Sequence, residues 1–381
     1  MALTVLMNAG PWLPVPPLGY GGIENVIATL VPELRRRGVR VVMATVGTST
    51  VTADEHVSVF AEGQFGRLLD PYNRVSGVPH AHLQGVLAEL RGRGDVDLVH
   101  DHVEVVGPST LAAADVPTLH TLHWDLGRHA PFYANLDCRD AVWVNGVSAD
   151  QLGKAPDPLR QRVLGHVHLA TPLADGAEHR RLPAKADHVV VLGRITHAKG
   201  QHIAVRVARE LGWPLVLAGP VGPFRDAEDL RTGLAARPEL RSTNPDVRYF
   251  CEQISDHVDG RHVRWAGTLH GEDLTHLIAT ARAALTPITW DEPGGTAVVE
   301  SLALGTPVVG FRRGCLPELI SHGRTGLLAT PGDEADLAEQ LLKSPYLDPA
   351  ACVQEAVERF RPAVMAENYL RLYRKVLDHA G

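Results

Sequence analysis

Long apolar segments are missing from this chain of 381 residues. Glycine, proline and charged residues interrupt its apolar stretches before they reach the roughly 18 residues that a membrane-spanning helix needs. Residues 1–6 have neither a basic stretch nor a small-residue cleavage site. We therefore expect no transmembrane segment and no secretory signal peptide.

Cysteine and excess positive charge are also scarce. The four cysteines are Cys138, Cys251, Cys315 and Cys352. Their spacing contains no C-x-x-C pair, which favours a protein with reduced thiols in the cytoplasm. The net charge is −7 and the isoelectric point is near 6.3, whereas nucleic-acid-binding domains are usually basic. We expect no nucleic-acid partner.

Short Val/Leu runs alternate with longer helical patterns along the whole chain, which is typical of parallel βαβ units. Strands are predicted at 3–7, 39–45, 98–100, 116–121, 141–147, 188–192, 215–218, 262–265 and 284–286. Helices are predicted at 25–37, 201–211, 273–283 and 363–377. The length favours two domains. We predict an α/β fold of two Rossmann-like, doubly wound domains facing across a cleft, 1–172 and 188–358, joined by a linker at 173–187.

Two glutamates, Glu292 and Glu300, flank a glycine pair near the C-terminal end of the chain. Glycines that open a helix leave free backbone N–H groups at its positive dipole end, which is a site for an anion. Glu300 falls within an otherwise apolar helix, where a carboxylate is costly unless it meets hydrogen-bond donors. A sugar diol supplies two donors, so this run predicts a site for a phosphorylated sugar.

Two cations, Arg194 and Lys199, lie on the predicted loop that follows the first strand of the second domain. Arginine offers a planar fork and lysine a point charge, and the pair suits a diphosphate. Taken alone, two solvated loop cations explain the pattern better. The nearby glutamate run favours the functional interpretation, although the loop lacks the G-K-[ST] ending of a Walker A motif.

A second glycine cluster, Gly19–Glu24, follows the first predicted strand and opens a helix. Gly21 and Gly22 would let the backbone approach a phosphate closely, and a plain tight turn explains them about as well. The preceding segment 11–17 is rich in proline and therefore stiff. It is either a rim of the cleft or a rigid connection.

Histidines concentrate in the first domain, after two short predicted strands. They are His100, His102, His120 and His123, accompanied by Asp101, Trp124 and Asp125. Their number and spacing match no closed or catalytic zinc set, so a metal site is the disfavoured interpretation. We favour one histidine bonded to a sugar hydroxyl and structural roles for His100, His102 and His120.

These motifs together resemble the retaining family-4 glycosyltransferases of the GT-B fold. The matching pieces are 21–24, 121–123, 193–194, 199–200, 218–219, 264–267, 292–307, 317–320 and 323–328. They span nearly the whole chain, and the glutamate run with its continuation is highly specific. The resemblance implies a nucleotide-sugar donor, usually a UDP-sugar. It also implies that the last helix, within 359–381, packs back onto the first domain.

The resemblance implies roles for individual residues on the donor side. Glu300 looks like the carboxylate that binds the ribose, and Arg194 with Lys199 looks like the diphosphate clamp. Glu292, with the backbone of Gly294, Gly295 and Thr296, looks like the contact to the donor sugar. Gly22, with Gly21 beside it, looks like a phosphate contact, and His123 looks like a ligand of the sugar. The resemblance thus makes His123, Arg194, Lys199 and Glu292 the candidate catalytic residues.

Two positions depart from the family pattern. Gly294 stands where a bulky apolar residue, often phenylalanine, follows the Glu-Pro pair, which enlarges or loosens the donor-sugar pocket. Residues 168–172 replace the usual Asn-Gly-Val-Asp before the second domain, so we expect either the hinge geometry or a contact made by this segment to differ from the family's.

The sequence therefore predicts a cytoplasmic, metal-independent, retaining glycosyltransferase without a cofactor. Its partners would be a UDP-sugar donor and a small-molecule or glycan acceptor, held by the first domain through Tyr20, Trp124 and Asp125. Preorganised charges would stabilise the leaving diphosphate in a front-face displacement. Two rivals remain: an epimerase or hydrolase of sugar nucleotides that uses the histidines as acid and base, and a non-catalytic nucleotide-sugar binder.

Overall fold

A computed structural model describes residues 3–19, 21–137 and 141–380 of the chain. Tyr20, predicted on the acceptor side, and Cys138 lie outside these ranges. The chain divides into two compact units: the first is Met1–Pro172 together with Pro362–Gly381, and the second is Leu173–Arg361. Among the described residues, no helix combines the length and the apolar character that crossing a membrane requires.

In the described part of the first unit there are seven strands and eight α-helices. Its strands are β1 (Thr4–Asn8), β2 (Arg40–Ala44), β3 (Glu55–Val57), β4 (Leu98–Asp101), β5 (Thr118–Thr121), β6 (Val142–Gly146) and β7 (Val163–His166). The helices described in it are α1 (Gly22–Arg36), α2 (Tyr72–Val75), α3 (Gly77–Gly92), α4 (Val106–Leu111), α5 (Ala130–Ala134), α6 (Ala149–Gly153), α7 (Asp157–Arg160) and α17 (Pro362–Ala380).

The second unit contains six strands and nine helices. Its strands are β8 (Val189–Leu192), β9 (Leu215–Ala218), β10 (Val263–Gly267), β11 (Ala283–Thr286), β12 (Val308–Phe311) and β13 (Gly326–Ala329). Its helices are α8 (Gln201–Leu211), α9 (Ala227–Ala236), α10 (Leu240–Thr243), α11 (Pro245–Gln253), α12 (Gly271–Thr280), α13 (Thr296–Ala303), α14 (Leu316–Leu319), α15 (Glu334–Lys343) and α16 (Pro349–Arg359).

The sheet of the first unit has the order β3-β2-β1-β4-β5-β6-β7, and its strand pairs are parallel. Burial on both faces explains why the central strands β1 and β2 contain continuous apolar runs rather than alternating ones. The chain moves outward in one direction from β1 to β2 and in the other from β1 to β4. Ligands of doubly wound sheets bind where this order reverses, at the carboxyl ends of the two strands.

The sheet of the second unit repeats this architecture with the order β10-β9-β8-β11-β12-β13. Its strand pairs are also parallel. The strand order reverses between β8 and β11, so the loops that follow these two strands meet at one point of the sheet. Those loops contain Arg194, Lys199 and Glu292 of the predicted donor site, and the helix that follows the second loop, α13, contains Glu300.

The last helix, α17, belongs to the first unit. Its helical spacing places Tyr369, Tyr373 and Val376 on one face, and all three are fully buried in the core that includes Val5 and Met7. The hydroxyl of Tyr373 is also 2.7 Å from Nδ1 of His100 on β4. The helix therefore completes both the apolar core and a polar contact of this unit.

Residues 173–187, predicted to form a linker, lie within the second unit. They form two short 3-10 turns, Pro172–Ala174 and Ala177–His179. Ala174 is fully buried in the cluster that contains Phe360. Arg180 donates from its guanidinium to the carbonyl of Ala303, at 3.3 Å. Small residues and a long cation attach this segment to the second unit.

Candidate functional site

The loop after β8 contacts the loop after β11 through a glycine. Gly200 has φ of +71°, and a Cβ there would lie 1.9 Å from the carbonyl oxygen of Pro287. Only glycine fits this left-handed position and this close approach. Because Lys199 precedes Gly200 directly, the contact fixes the backbone from which the predicted clamp lysine projects.

Arg194 lies on the same loop and exposes its side chain. Its Nη1 is 3.6 Å from Oδ2 of Asp246, in the first turn of α11. The amide of the buried Gln201 donates to the carbonyl of Arg194 at 2.8 Å and anchors the loop. Burial raises the pKa of Asp246, while Arg194 lowers it. Asp246 lies 52 positions further along the chain, and no sequence motif pointed to it.

Lys199 pairs with Glu292 across the two loops. Its Nζ donates to Oε2 of Glu292 at 2.5 Å and lies 5.9 Å from the ring centre of Trp290. Both side chains remain partly accessible, at 29% for Lys199 and 17% for Glu292. The structure thus brings together two residues predicted to bind different parts of one ligand, a diphosphate and a sugar.

The backbone around Glu292 is held by the segment that follows β12. The carbonyl of Glu292 accepts from the N–H of Cys315 at 2.9 Å. Asp291 accepts from Nε of Arg313, also at 2.9 Å. A rigid loop of this kind keeps the carboxylate of Glu292 at the strand ends.

Helix α13 begins at the predicted glycine pair. Gly295 is its N-cap with φ of +60°, and a Cβ there would lie 2.6 Å from Cδ1 of Leu319. No side chain caps the helix, and among the described residues no acceptor pairs with the N–H groups of Thr296 and Ala297. Gly294 is buried and Thr296 is exposed. This end of α13 therefore presents unpaired donors and a positive dipole.

Glu300 lies in the second turn of α13, where most neighbours are apolar and buried. Among the described residues, no donor forms a hydrogen bond with its carboxylate. Burial alone raises the pKa of Glu300 to about 7. A half-buried carboxylate without a partner costs free energy in the ligand-free protein. Such unpaired groups are typical of ligand-binding sites.

In the first unit, the glycine pair 21–22 begins α1 just after the loop that follows β1. Gly21 is buried, and a Cβ there would lie 2.6 Å from Cβ of Pro17, so this position accepts only glycine. The α-carbon of Gly22 faces open space, with nothing within 4 Å of a Cβ. Val15 holds the stiff segment in place, because its carbonyl accepts from the N–H groups of Thr50 and Val51 at 2.9 and 2.8 Å.

His123, Trp124 and Asp125 lie on the loop after β5, and all three are partly buried. Oδ1 of Asp125 caps the following turn by accepting from the N–H of Gly127 at 2.8 Å. The guanidinium of Arg128 lies 4.6 Å from the ring centre of Trp124. Asp125 thus already has a structural contact, and Trp124 has a cation on one side of its ring.

A buried polar network lies beside this loop, at the ends of β4 and β5. Nδ1 of His120 is 2.5 Å from Oδ2 of Asp101, and its Nε2 is 3.6 Å from Oε2 of Glu104. Flanking carboxylates raise the pKa of His120 to about 9 against the opposing effect of burial. Contact with His120 and Tyr133 lowers the pKa of Glu104 to about 2, although burial acts in the opposite direction. His120 is therefore a charged structural residue.

The other histidines form a row, in which the rings of His102 and His123 are stacked and those of His100 and His102 are tilted. Nδ1 of His102 and Nε2 of His123 share a hydrogen bond of 2.8 Å. His100 uses both ring nitrogens, one with Tyr373 and one with Oγ1 of Thr121 at 2.8 Å. Burial lowers the pKa of His123 to about 4, so its imidazole is neutral at pH 7. A neutral imidazole both donates and accepts hydrogen bonds.

The predicted donor residues of the second unit thus gather at one point. They are Arg194, Lys199, Glu292, Gly294, Gly295, Thr296 and Glu300. The first unit gathers His123, Trp124 and Asp125 on one loop, and Gly21 with Gly22 on another. Sequence reasoning missed Glu104, although a carboxylate so close to the end of a predicted strand was a signal that could have found it.

Comparison with known proteins agrees with this architecture. Residues 177–348 match the family described as Glycosyl transferases group 1, and residues 20–148 match Glycosyltransferase Family 4. AviGT4, a glycosyltransferase involved in avilamycin A biosynthesis, has a structure that superimposes with a TM-score of 0.66 at 25% identity. That alignment covers 99% of this chain and 98% of AviGT4.

Two relatives illustrate the range of the family. Glycogen synthase of Mycobacterium tuberculosis is 27% identical over 284 residues, which are 68% of this chain and 62% of that enzyme. This chain therefore spans less than two thirds of the synthase. D-inositol 3-phosphate glycosyltransferase of Corynebacterium efficiens is 26% identical over 378 residues, covering 88% of this chain and 85% of that protein. The chain belongs to the family-4 glycosyltransferases of the GT-B fold.

Proposed function

We propose that this protein is a retaining, metal-independent glycosyltransferase that moves a sugar from a UDP-sugar to a hydroxyl of a small-molecule or glycan acceptor. The observation that carries the proposal is the convergence at the ends of β8 and β11. There, the loop of Arg194 and Lys199 contacts the loop of Glu292, which leads into the uncapped N-terminus of α13 and the unpartnered carboxylate of Glu300.

The donor's diphosphate would bind to Arg194, Lys199 and the N–H groups that begin α13. Negative charge grows on the diphosphate as the glycosidic bond breaks, so these donors stabilise the transition state more than the ground state. The ribose diol would donate to Glu300, the carboxylate that lacks a donor. Such a contact acts equally in the ground and transition states, so it supports binding rather than rate.

The ion pair between Lys199 and Glu292 would separate when the donor binds, and each residue would then contact a different part of the donor. In the ligand-free protein, each side chain satisfies the other at 2.5 Å. A diphosphate would attract the ammonium of Lys199 and leave the carboxylate of Glu292 able to accept from sugar hydroxyls. The pair therefore keeps both groups in position before the donor arrives.

Metal independence is proposed because these charges can perform the work of a divalent ion. Two cations and a helix dipole face the place where charge would develop, and they need no reorganisation during the reaction. We assign no protein nucleophile. A donor phosphate oxygen would take the acceptor's proton in a front-face displacement, so the anomeric configuration is retained.

The first unit would bind the acceptor through the loop of His123, Trp124 and Asp125. The relative from C. efficiens is named for an inositol phosphate, which supports a polyol as the first acceptor to test. The uridine base follows from the family resemblance. The free thiols Cys251, Cys315 and Cys352 support a reducing, cytoplasmic setting.

Calorimetric titration of UDP, GDP and ADP tests the donor assignment. We expect UDP to bind most tightly, and equal or better binding of ADP would refute the uridine base. Turnover of UDP-glucose with D-inositol 3-phosphate should persist in EDTA. Conversion of the donor at full speed without any acceptor would instead indicate an epimerase or hydrolase, and binding without turnover of any donor–acceptor pair would indicate a non-catalytic binder.

A further inference from the structure

We infer that Glu104 is a positioning residue whose buried carboxylate fixes the loop that carries His123 and Trp124. Its effect on catalysis rests on the proposed function, because that function gives the two loop residues their roles. Its effect on the loop rests on the contacts of the first unit alone. The two can therefore be tested separately.

One oxygen of Glu104 holds two successive peptide groups. Its Oε1 accepts from the N–H of His123 at 2.5 Å and from the N–H of Trp124 at 2.7 Å. Its Oε2 accepts from the hydroxyl of Tyr133 at 2.5 Å. Bonds to both neighbouring N–H groups fix the peptide planes on either side of His123. The direction in which the His123 side chain leaves the backbone is thereby set.

The charge of Glu104 is maintained by its surroundings. The carboxylate is 6% exposed and lies against the fully buried His120, whose other ring nitrogen bonds to Asp101. Asp101 is in turn held by the amide of Asn8 at 2.7 Å. An ionised acceptor makes shorter and stronger hydrogen bonds than a neutral one. By keeping Glu104 ionised, the network strengthens its hydrogen bonds to the loop.

The backbone next to Glu104 is strained, which is a separate observation. Val105 has φ of +66° and ψ of −60°, and the N–H of Val106 donates to the carbonyl of Glu104 at 2.7 Å. A positive φ at a β-branched residue costs roughly 1–3 kcal/mol and persists only where the surroundings impose it. Glu104 is the first residue of this three-residue turn, and its side chain faces the interior. The strain at Val105 is expected if this backbone conformation is needed to direct the Glu104 side chain inward.

The ring of His123 is fixed as well as its backbone. Its Nε2 is bonded to His102, and among the described residues Nδ1 has no partner. With the backbone held by Glu104 and one ring nitrogen held by His102, Nδ1 is the atom left for a sugar hydroxyl. A displacement of about 1 Å at such an atom can cost about 100-fold in rate.

The test compares Glu104→Gln with Glu33→Gln. The first variant keeps the size of the side chain but removes its charge. Glu33 is the matched control, because it is a buried carboxylate of the same unit, on α1, that pairs with Arg36 and Arg37. Both variants should lower the melting temperature. Only Glu104→Gln should move the loop.

The first readout needs no activity. In protein labelled with 15N-histidine, His123→Asn identifies the ring signals of His123. We expect Glu104→Gln to shift or broaden these signals and Glu33→Gln to leave them unchanged. Unchanged His123 signals in Glu104→Gln would overturn the inference. If that variant does not fold, Tyr133→Phe takes its place. We then expect a smaller shift of the His123 signals, and the absence of any shift would contradict the inference.

The second readout is turnover of UDP-glucose, with UDP affinity measured on the same samples. We expect Glu104→Gln to lower kcat by about 100-fold with UDP affinity unchanged. Equal loss of kcat in Glu33→Gln at an equal fall in melting temperature would overturn the catalytic part. An inactive wild-type protein would refute the proposed function, while the NMR signals would still decide whether Glu104 holds the loop.

Discussion

The two units place polar residues at the same point of the same kind of sheet and use them in opposite ways. In the first unit, the buried carboxylates of Asp101 and Glu104 flank the buried His120, at 2.5 Å and 3.6 Å from its two ring nitrogens. In the second unit, Glu300 and the N–H groups that begin α13 have no partner among the described residues. A satisfied network stabilises and orients, whereas unsatisfied groups bind.

The difference shows that topology alone does not identify a ligand site. The reversal of strand order selects the location in both sheets. Whether a ligand can bind there depends on how many of the polar groups are already paired within the protein. By this criterion the ligand site lies in the second unit. The first unit offers only the loop of His123 and Trp124, which lies beside its buried network.

The largest effect is expected from breaking the network of the first unit. His120→Gln removes a buried cation from between two carboxylates and should lower the free energy of unfolding of that unit by about 3–5 kcal/mol. Denaturant unfolding measures this loss. His262→Gln is the control, since its pair with Asp259 at 3.0 Å is exposed to solvent and contributes little to stability. Equal losses in both variants would show that the network is not stabilising.

The next effect concerns the receptive site. Lys199→Ala should lower kcat by about 100-fold or more, because it removes a cation that faces the leaving diphosphate. The melting temperature should barely change, since the pair with Glu292 is partly exposed. Steady-state kinetics and thermal melts check both points. Lys343→Ala, whose ion pair with Glu339 is exposed, is the control, and near-normal kcat in Lys199→Ala would disprove the clamp.

Glu300→Gln should weaken UDP binding by roughly 10- to 100-fold, the range for hydrogen bonds to a charged group.

Glu300→Gln should also stabilise the ligand-free protein at high pH. The pKa of Glu300 is raised from 4.5 to about 7 in the folded protein, so the folded state holds this proton more tightly than the unfolded chain. Stability therefore falls as pH rises from about 4.5 through 7.

Thermal melts between pH 5 and pH 8 check the sign for Glu300. The variant should gain on the wild-type protein as pH rises. Glu358→Gln, at an exposed carboxylate, should show no such gain. A Glu300→Gln variant that is less stable at pH 8 would mean that the carboxylate has a structural partner and that the contrast between the units is wrong.

The smallest effect is expected at Trp124. Loss of ring stacking costs roughly 0.5–1.5 kcal/mol, so Trp124→Ala should raise the acceptor KM about 3- to 10-fold. UDP affinity should stay unchanged in calorimetric titration. Phe132→Ala, at a partly buried aromatic residue of the same unit, is the control. A large fall in the melting temperature of Trp124→Ala would make the indole a packing residue.

Periodic segments could be predicted closely. Helix 201–211 and strand 215–218 have the predicted bounds, because an amphipathic stretch lies between two glycines that both adopt left-handed conformations. The helix predicted at 273–283 was wrong at its end, where α12 stops at Thr280 and Ala283 already begins β11. An Ala-rich apolar run suits both a helix and a buried strand, so its period does not locate the boundary. Strands β3 and β7 were missed because both are short and poorly buried, and β13 was missed although it is fully buried.

The polar sites of the two units also differed in how well they could be predicted from the sequence. Most predicted residues of the second unit lie in one stretch, 292–300, so spacing along the chain was enough to find them. Glu104 contacts residues 16 to 29 positions away. Contacts of that separation depend on the register of neighbouring strands, which the sequence alone does not reveal.

Helix α17 has a consequence for synthesis. The chain leaves the first unit at residue 172 and re-enters it at residue 362. Tyr369 and Tyr373 fill the core of the first unit, and the Tyr373 hydroxyl bonds to His100. Both residues emerge from the ribosome only after the whole second unit has been translated. While the intervening residues are translated, the nascent first sheet exposes the apolar surface that α17 later covers. The inserted unit can fold before the unit that precedes it in the chain is complete.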